Sequence, residues 1–195
     1  MTNETKWSLD LAHSYISFKV RHLMISRVKG SFKNFDVNIY TTGRDFTTAN
    51  IDVWIEAASV TTNDATRDAH LKGQEFFDSD NHKQITFTAN SIGKMDPDGV
   101  HELWGELTMK GFTKVIRLEV QFGGIANDAW GNEKAGFTVS GKINRNDWGL
   151  NWNTALETGG FLVSEEVMIS CDLQLIKSTQ KNLVMELENS ETATN

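Results

Sequence analysis

The strongest constraint on this chain is a period-two alternation of apolar and polar residues that recurs in segment after segment. From Ser14 to His22, the residues Ile16, Phe18, Val20 and His22 point to one side, and Tyr15, Ser17, Lys19 and Arg21 to the other. That is the pattern of a half-buried strand. Val28, Gly30 and Phe32 continue it, and Phe35, Val37 and Ile39 resume it one residue out of phase. Lys33-Asn34 therefore reads as a β-bulge that bends a second strand. After a polar turn over Thr41 to Asn50, further strands are expected at Ile51–Ala57, Ile85–Ser91, Leu103–Met109, Ile116–Phe122, Phe137–Ile143 and Val167–Leu175. Asp96-Pro97-Asp98-Gly99 is a turn signal, and the Gly/Asn/Asp-rich stretch from Gly123 to Glu133 reads as a loop. Eight amphipathic strands with short connections predict an all-β antiparallel sheet, closed on itself or stacked as a sandwich. The small inward residues Gly30, Ala57, Ala89, Gly105 and Gly141 fit a cavity and fit equally a solid core in which they offset bulky neighbours.

The alternation stops between Thr66 and Asp78. Asn63 and Asp64 offer N-cap oxygens, and Ala65, Ala69 and Leu71 favour a helix. Gly73 stands where a left-handed cap would end it, so one short helix is expected over about residues 64–73. Ala65, Ala69 and Gly73 fall at i, i+4 and i+8, which predicts a small-residue face lying against one end of the β structure. Phe76-Phe77 follows at once.

No Pro/Gly/Ser-rich linker divides the 195 residues, so a single domain is expected over 1–176, with 177–195 a polar, acidic and poorly ordered tail. The six Trp and eleven Phe suit a protein that fills or lines a wide interior. A net charge of −7 argues against nucleic acid or an anionic membrane as the main partner. Met1 to Lys6 has no apolar core of a signal peptide, and no apolar run approaches a membrane span. The expectation is a cytoplasmic, soluble protein without stable membrane insertion, or a periplasmic one if a leader has been trimmed away. The single Cys171 excludes an internal disulfide and fits a reducing compartment. His13 and His22 lie nine residues apart on one strand, roughly 30 Å at the usual rise, and His82 and His101 have no ligand spacing, so no metal is expected.

Seven further stretches, taken in order, carry a resemblance. They are Trp7–His22 (WSLDxxHSxIxFxVxH), Val28–Phe35 (VKGSFKNF), Arg67–Asp78 (RDxHLxxxxFFD), Ile85–Phe87 (ITF), Gly105–Lys114 (GELTMKGFTK), Phe137–Leu150 (FTVSGKINRNDWGL) and Val163–Val167 (VSEEV). Across about residues 7–176 the chain resembles the YceI-like family, lipid- and polyisoprenoid-binding proteins with a lipocalin-like antiparallel barrel. It departs from the family pattern at Gln84, where Pro is usual, at Lys110, where His is frequent, and at Trp148, where Phe is usual. The resemblance implies an eight-stranded lipocalin-like barrel and a long-chain lipid ligand of polyisoprenoid type in place of a cofactor. Many relatives carry a secretion signal and act in the periplasm.

A lipid inside such a barrel would meet the apolar phase of its strands and the aromatics after the helix. The expected cavity lining is Phe18, Val20, Phe32, Phe76, Phe77, Phe87, Leu107, Met109, Val120, Phe122, Phe137, Val139 and Trp148, with Arg67, Asp68, His70 and Arg145 as a polar rim. The bland readings are a helix-to-strand network for Arg67 and Asp68, and a turn with an ion pair for Arg145 to Gly149. Two alternatives to a carrier stand beside these. One is an enzyme acting on a lipid-like substrate with His70 or Asp68 as general base, against which speaks the lack of any nucleophile-elbow, metal or nucleotide motif. The other is a solid-core interaction domain that dimerises through exposed aromatics such as Trp54 and Trp104.

Overall fold

Eight antiparallel staves close into a barrel in the computed structural model, which describes residues 4–157, 159 and 161–178. Three staves are each made of two strands. β1 (Glu4–Leu9) runs into β2 (Tyr15–His22), β3 (Ser26–Phe32) into β4 (Phe35–Thr42), and β5 (Asp45–Glu56) into β6 (Val60–Thr61). The others are β7 (Gln84–Ala89), β8 (Val100–Met109), β9 (Phe112–Asn127), β10 (Glu133–Asn144) and β11 (Val163–Lys177). Each stave pairs with the next in chain order. β11 then returns to pair with β2 (Cys171 opposite Ile16) and with β1 (Leu175 opposite Leu9), which closes the ring. Closure gives every stave a neighbour on both sides among the described residues, which removes the long free edge that could template pairing with another chain.

The three divided staves are neighbours, and their breaks lie side by side. They are a 3-10 turn at Leu11–His13, the Lys33-Asn34 step, and a 3-10 turn at Ala57–Ser59. Hydrogen bonding continues across the crease, with Lys33 N–H donating to Ser59 O (3.2 Å) and Glu56 N–H to Asn34 O (3.0 Å). The bend expected at Lys33-Asn34 is thus one part of a fold line through three strands.

Several expected boundaries move. β1 was not expected, because only Lys6 to Leu9 alternates there. The turn expected over Thr41 to Asn50 shrinks to Gly43-Arg44, since β5 begins at Asp45 and buries Phe46 and Ala49. The loop expected over Gly123 to Glu133 shrinks to 128–132. Gly123-Gly124, with Gly124 at φ +105°, forms a bulge and β9 continues past it to Asn127. β11 reaches Lys177, one residue past the expected domain boundary, and the tail expected from there lies outside the described residues from 179 onward.

An up-and-down meander puts its connections at two ends. At one, Phe46 forms a plug, its ring centroid 5.0 Å from Trp7, 4.9 Å from Phe137 and 5.5 Å from Phe122. The Trp7 indole N–H donates to Thr41 Oγ1 there (3.0 Å), so the most deeply buried ring is also hydrogen-bonded. The other end carries α1 (Ala65–Lys72), whose Asp64 side chain caps it by accepting the Arg67 N–H at 3.0 Å. The helix departs from expectation twice. Gly73 has φ −70°, an extended conformation and not a left-handed one, and Ala65 and Ala69 face solvent. Arg67, His70 and Leu71 face the barrel instead. Polar anchoring overrides the small-residue stripe, because Asp68 binds Thr61 and Thr62 and sets the helix's rotation.

The inward glycines do not open space by being small. A methyl on Gly30 would fall 2.2 Å from Phe18 Cζ, and one on Gly141 2.4 Å from Leu118 Cδ2, so a neighbour's side chain already covers each site. On Gly105 a methyl would meet Phe87 Cζ at 2.3 Å and the Thr88 carbonyl oxygen at 2.6 Å. A ring tip can swing toward free volume, whereas a strand carbonyl cannot. Gly105→Ala should therefore cost about 1–3 kcal/mol, the range for overpacking, and Gly30→Ala much less. Urea unfolding of the two variants checks this, and equal losses would contradict it.

Candidate binding cavity

The barrel is hollow. A cavity of about 810 Å³ runs from the level of Phe137 and Val120 up to α1. That volume lies within the range of small-molecule sites, roughly 300–1,000 Å³. Its wall is the apolar phase of the staves: Ile16, Phe18, Val37, Ile51, Phe87, Leu103, Leu107, Leu118, Val139 and Ile169 are among the lining residues. The polar lining is concentrated at the helix end, in Arg21, His22, Thr62, Asp64, Arg67, His70 and Arg145. Exposed Arg21, Ser26, Asp64 and Thr66 belong to the lining too, so the cavity reaches the surface between the β2–β3 hairpin and α1.

An aromatic cluster crosses this mouth. The His70 ring stands edge-on to Phe76 (5.0 Å) and Trp152 (4.7 Å), and Phe76 lies 5.5 Å from Trp152. His70 Nε2 is 2.7 Å from Glu75 Oε2. Lys110 donates its ammonium to Gln74 O (2.7 Å) and Gly149 O (3.4 Å), tying two end loops together.

The network around α1 is saturated. Arg67 Nε donates to Thr62 Oγ1 (2.7 Å) and its Nη2 to Thr62 O (3.1 Å). Asp68 accepts from Thr62 N–H (2.7 Å), Thr62 Oγ1 (2.6 Å) and Thr61 Oγ1 (3.0 Å). Partial burial alone would raise the Asp68 carboxyl, but these donors outweigh it and hold the group below its ordinary value. Arg145 is buried, and its guanidinium donates only to backbone carbonyls: Ser164 O (3.0 Å), Trp152 O (2.9 Å), Val163 O (3.5 Å) and Leu150 O. No carboxylate lies within ion-pair distance of it among the described residues, contrary to the ion pair expected there. Burial pushes its pKa down, against a smaller opposing pull from the Glu165 carboxylate. The work of Arg145 is to hold Leu150 and Trp152 to Val163 and Ser164 at the barrel end.

Of the expected lining, Phe18, Val20, Phe32, Phe76, Phe77, Phe87, Leu107, Met109, Val120, Phe137 and Val139 are on the cavity wall, and Arg67, His70 and Arg145 border it. Three residues lie elsewhere. Phe122 is 41 % exposed and packs on the plug, because the Gly123-Gly124 bulge and the barrel end take it off the wall. Trp148, only 1 % exposed, points its indole N–H at Leu107 O (3.0 Å) from outside the cavity. Asp68 is turned to Thr61 and Thr62. The expected lining omitted Ile16, Val37, Ile51, Leu103, Leu118 and Ile169, among others in the apolar phase of the strands, and it also missed Trp152 and Leu71. Trp152 sits in the polar run Asn151 to Thr154, where only an isolated indole among polar neighbours marks it. Trp104 is 55 % exposed and Trp54 half-buried, but the register sets Trp54 beside Thr86, itself paired with Thr108, and Trp104, four residues from Thr108, beside Arg117, so they form no single patch.

Cys171 lies on the wall, and burial pushes its thiol pKa up to about 12. A thiol in that state is almost wholly protonated at pH 8 and a poor nucleophile. Iodoacetamide at pH 8 should leave native protein unmodified while alkylating it in urea. Rapid labelling of the native protein, read by mass, would contradict this.

Comparisons with known proteins agree with the geometry. The model described as the YceI-like domain matches residues 7–175. A UPF0312 protein of Staphylococcus aureus strain MSSA476 is 38 % identical over 164 residues, covering 84 % of this chain and 92 % of the relative. The crystal structure of the Campylobacter jejuni YCEI protein superposes with a TM-score of 0.69 at 34 % identity, over 88 % of this chain and 97 % of that one. A polyisoprenoid binding domain from Saccharophagus degradans shares the fold, with a TM-score of 0.61 at 16 % identity over 88 % and 98 % of the two chains. Among the described residues no helix is long and apolar enough to cross a membrane.

Proposed function

The chain belongs to the YceI-like family, and from that premise we propose that it is a carrier or sequestering protein for a long-chain apolar lipid held inside the barrel. A polyisoprenoid, an isoprenoid quinone or a fatty-acid derivative fits. The observation that carries this reading is the apolar cavity of about 810 Å³, plugged at one end and polar at the other. A neighbour of the same fold is described as a polyisoprenoid binding domain, which supports the ligand class. The chain of the lipid would lie against Phe18, Phe87, Leu107 and Val139, and a head group would rest near Arg67 and His70. Affinity would come from burying apolar ligand surface, at about 25 cal/mol per Å², less the cost of ordering a flexible chain. Such a wall discriminates chain length weakly, so related lipids should compete.

We read the site as binding and not catalysing. Of the two candidate bases, Asp68 is turned off the wall with its oxygens occupied, and His70 is engaged with Glu75 within an aromatic cluster. Native mass spectrometry of mildly purified protein, followed by organic extraction, tests the proposal. A long-chain lipid should be recovered in near-stoichiometric amount. An empty protein that also fails to take up added polyprenol, quinone or fatty acid would overturn it.

A further inference from the structure

The β2–β3 hairpin stands at the cavity mouth, and its tip is built against ordinary preferences. Leu23 (φ 52°) and Met24 (φ 61°) occupy left-handed backbone positions, with Ile25 N–H returning to His22 O at 3.2 Å. Turns of this hand usually take Asn or Gly. Here three large apolar residues occupy the loop, Leu23 38 %, Met24 61 % and Ile25 85 % exposed. The Leu23 N–H donates to Leu162 O (2.9 Å), which brings exposed Phe161 beside the tip.

The stalk below is equally unusual. Lys19 stands directly opposite Lys29 on its outer face, and Arg21, at the rim of the cavity, stands opposite Arg27. Like charges placed so are destabilising. None of these four side chains has an ion-pair or hydrogen-bond partner among the described residues, while the adjacent Glu165 and Glu166 are engaged by Asn144 and Lys142. The overall charge of −7 conceals this asymmetry. Glu102, Glu106 and Glu119 lie on β8 and β9, across the barrel from the hairpin.

An apolar tip above a basic collar, with no local structural reward for either, matches a lipid–water interface with anionic headgroups. We propose that the β2–β3 hairpin docks the barrel on an anionic bilayer. Met24 and Ile25 enter the headgroup–acyl boundary, and Lys19, Arg21, Arg27 and Lys29 face lipid phosphates and carboxylates. Docking turns the mouth toward the membrane, because Arg21, His22, Ser26 and Val28 of the same hairpin line the cavity. A lipid chain then passes between bilayer and barrel without crossing water. That last step rests on the carrier reading; the docking itself does not.

Flotation with phosphatidylcholine vesicles, with and without phosphatidylserine, tests it on the full chain. Wild type should float with phosphatidylserine vesicles and release as salt rises. Met24→Asn/Ile25→Ser places a residue suited to the left-handed position and should stay folded. Arg27→Gln/Lys29→Gln relieves like-charge pairs and should be at least as thermally stable as wild type. Each should weaken flotation at least about tenfold while lipid retention by native mass spectrometry is unchanged. Vesicle binding by a barrel that proves empty upholds docking and overturns only the carrier role. Wild type that ignores anionic vesicles, or binding that both variants preserve, overturns the proposal. So does an assembly that dissociates in Met24→Asn/Ile25→Ser without any vesicle binding, since the hairpin is then a self-association surface.

Discussion

Val120→Asp should eliminate lipid retention and destabilise the barrel by several kcal/mol at neutral pH. Val120 is 2 % exposed and lies on the cavity wall. Its neighbours across the strands are Val139 and His101, and His101 Nδ1 is already 2.8 Å from Gly93 O. The arginines of the lining stand at the helix end, so a carboxylate there meets no fixed cation, and an unpaired polar group in apolar surroundings costs roughly 2–7 kcal/mol. Burial raises the new carboxyl's pKa in the folded state, so the folded protein favours its neutral form. The added penalty is therefore smallest below the unfolded value of about 3.9 and grows as pH rises through the folded one. Urea unfolding of variant and wild type at pH 4 and pH 7 measures that difference. A penalty independent of pH would mean that water or a partner reaches the site.

Trp148→Ala should cost about 3–5 kcal/mol, the range for removing a large buried aromatic, and it should do so through stability alone. The ring is fully buried outside the cavity and hydrogen-bonded to Leu107 O, so its loss leaves a new void and an unmatched contact. Leu107→Ala, one wall away, has less to lose because its side chain already faces empty volume. It should unfold closer to wild type and shift which lipids are retained. Chemical denaturation together with lipid extraction separates the two outcomes. A reversal, with Leu107→Ala the less stable and Trp148→Ala the altered binder, would place the ligand outside the cavity described.

The strands and the wall were legible because both follow from parity. Phe18, Phe87, Leu107 and Phe137 were placed by the rule that alternate side chains share a face, and closure of the sheet makes that face the interior. Parity fails where the backbone slips. Phe122 belongs to the right phase but sits beside the Gly123-Gly124 bulge and the end plug, and nothing in the local pattern states that β9 continues beyond it. The helix shows a different failure. Its small-residue stripe is the better packing face by size, yet Asp68 and Arg67 bind Thr61 and Thr62 and turn that stripe to solvent. Those partners are seven or fewer residues away in sequence, but which hydroxyls they reach depends on how β6 leads into the helix.

What the amino-acid sequence determined by itself is the number of staves, their order, the inward face of each and the existence of one helix, because these rest on local periodicity and on turn chemistry. Whether the interior is hollow was decided only in three dimensions. Gly30, Gly105 and Gly141 are filled by Phe18, Phe87 and Leu118, so small residues did not mark the cavity. It exists because eight staves, creased at three adjacent breaks and plugged at one end by Trp7, Phe46 and Phe137, enclose more volume than their inward side chains fill. Volume left over is a sum over the whole barrel, and no single stretch of chain carries it.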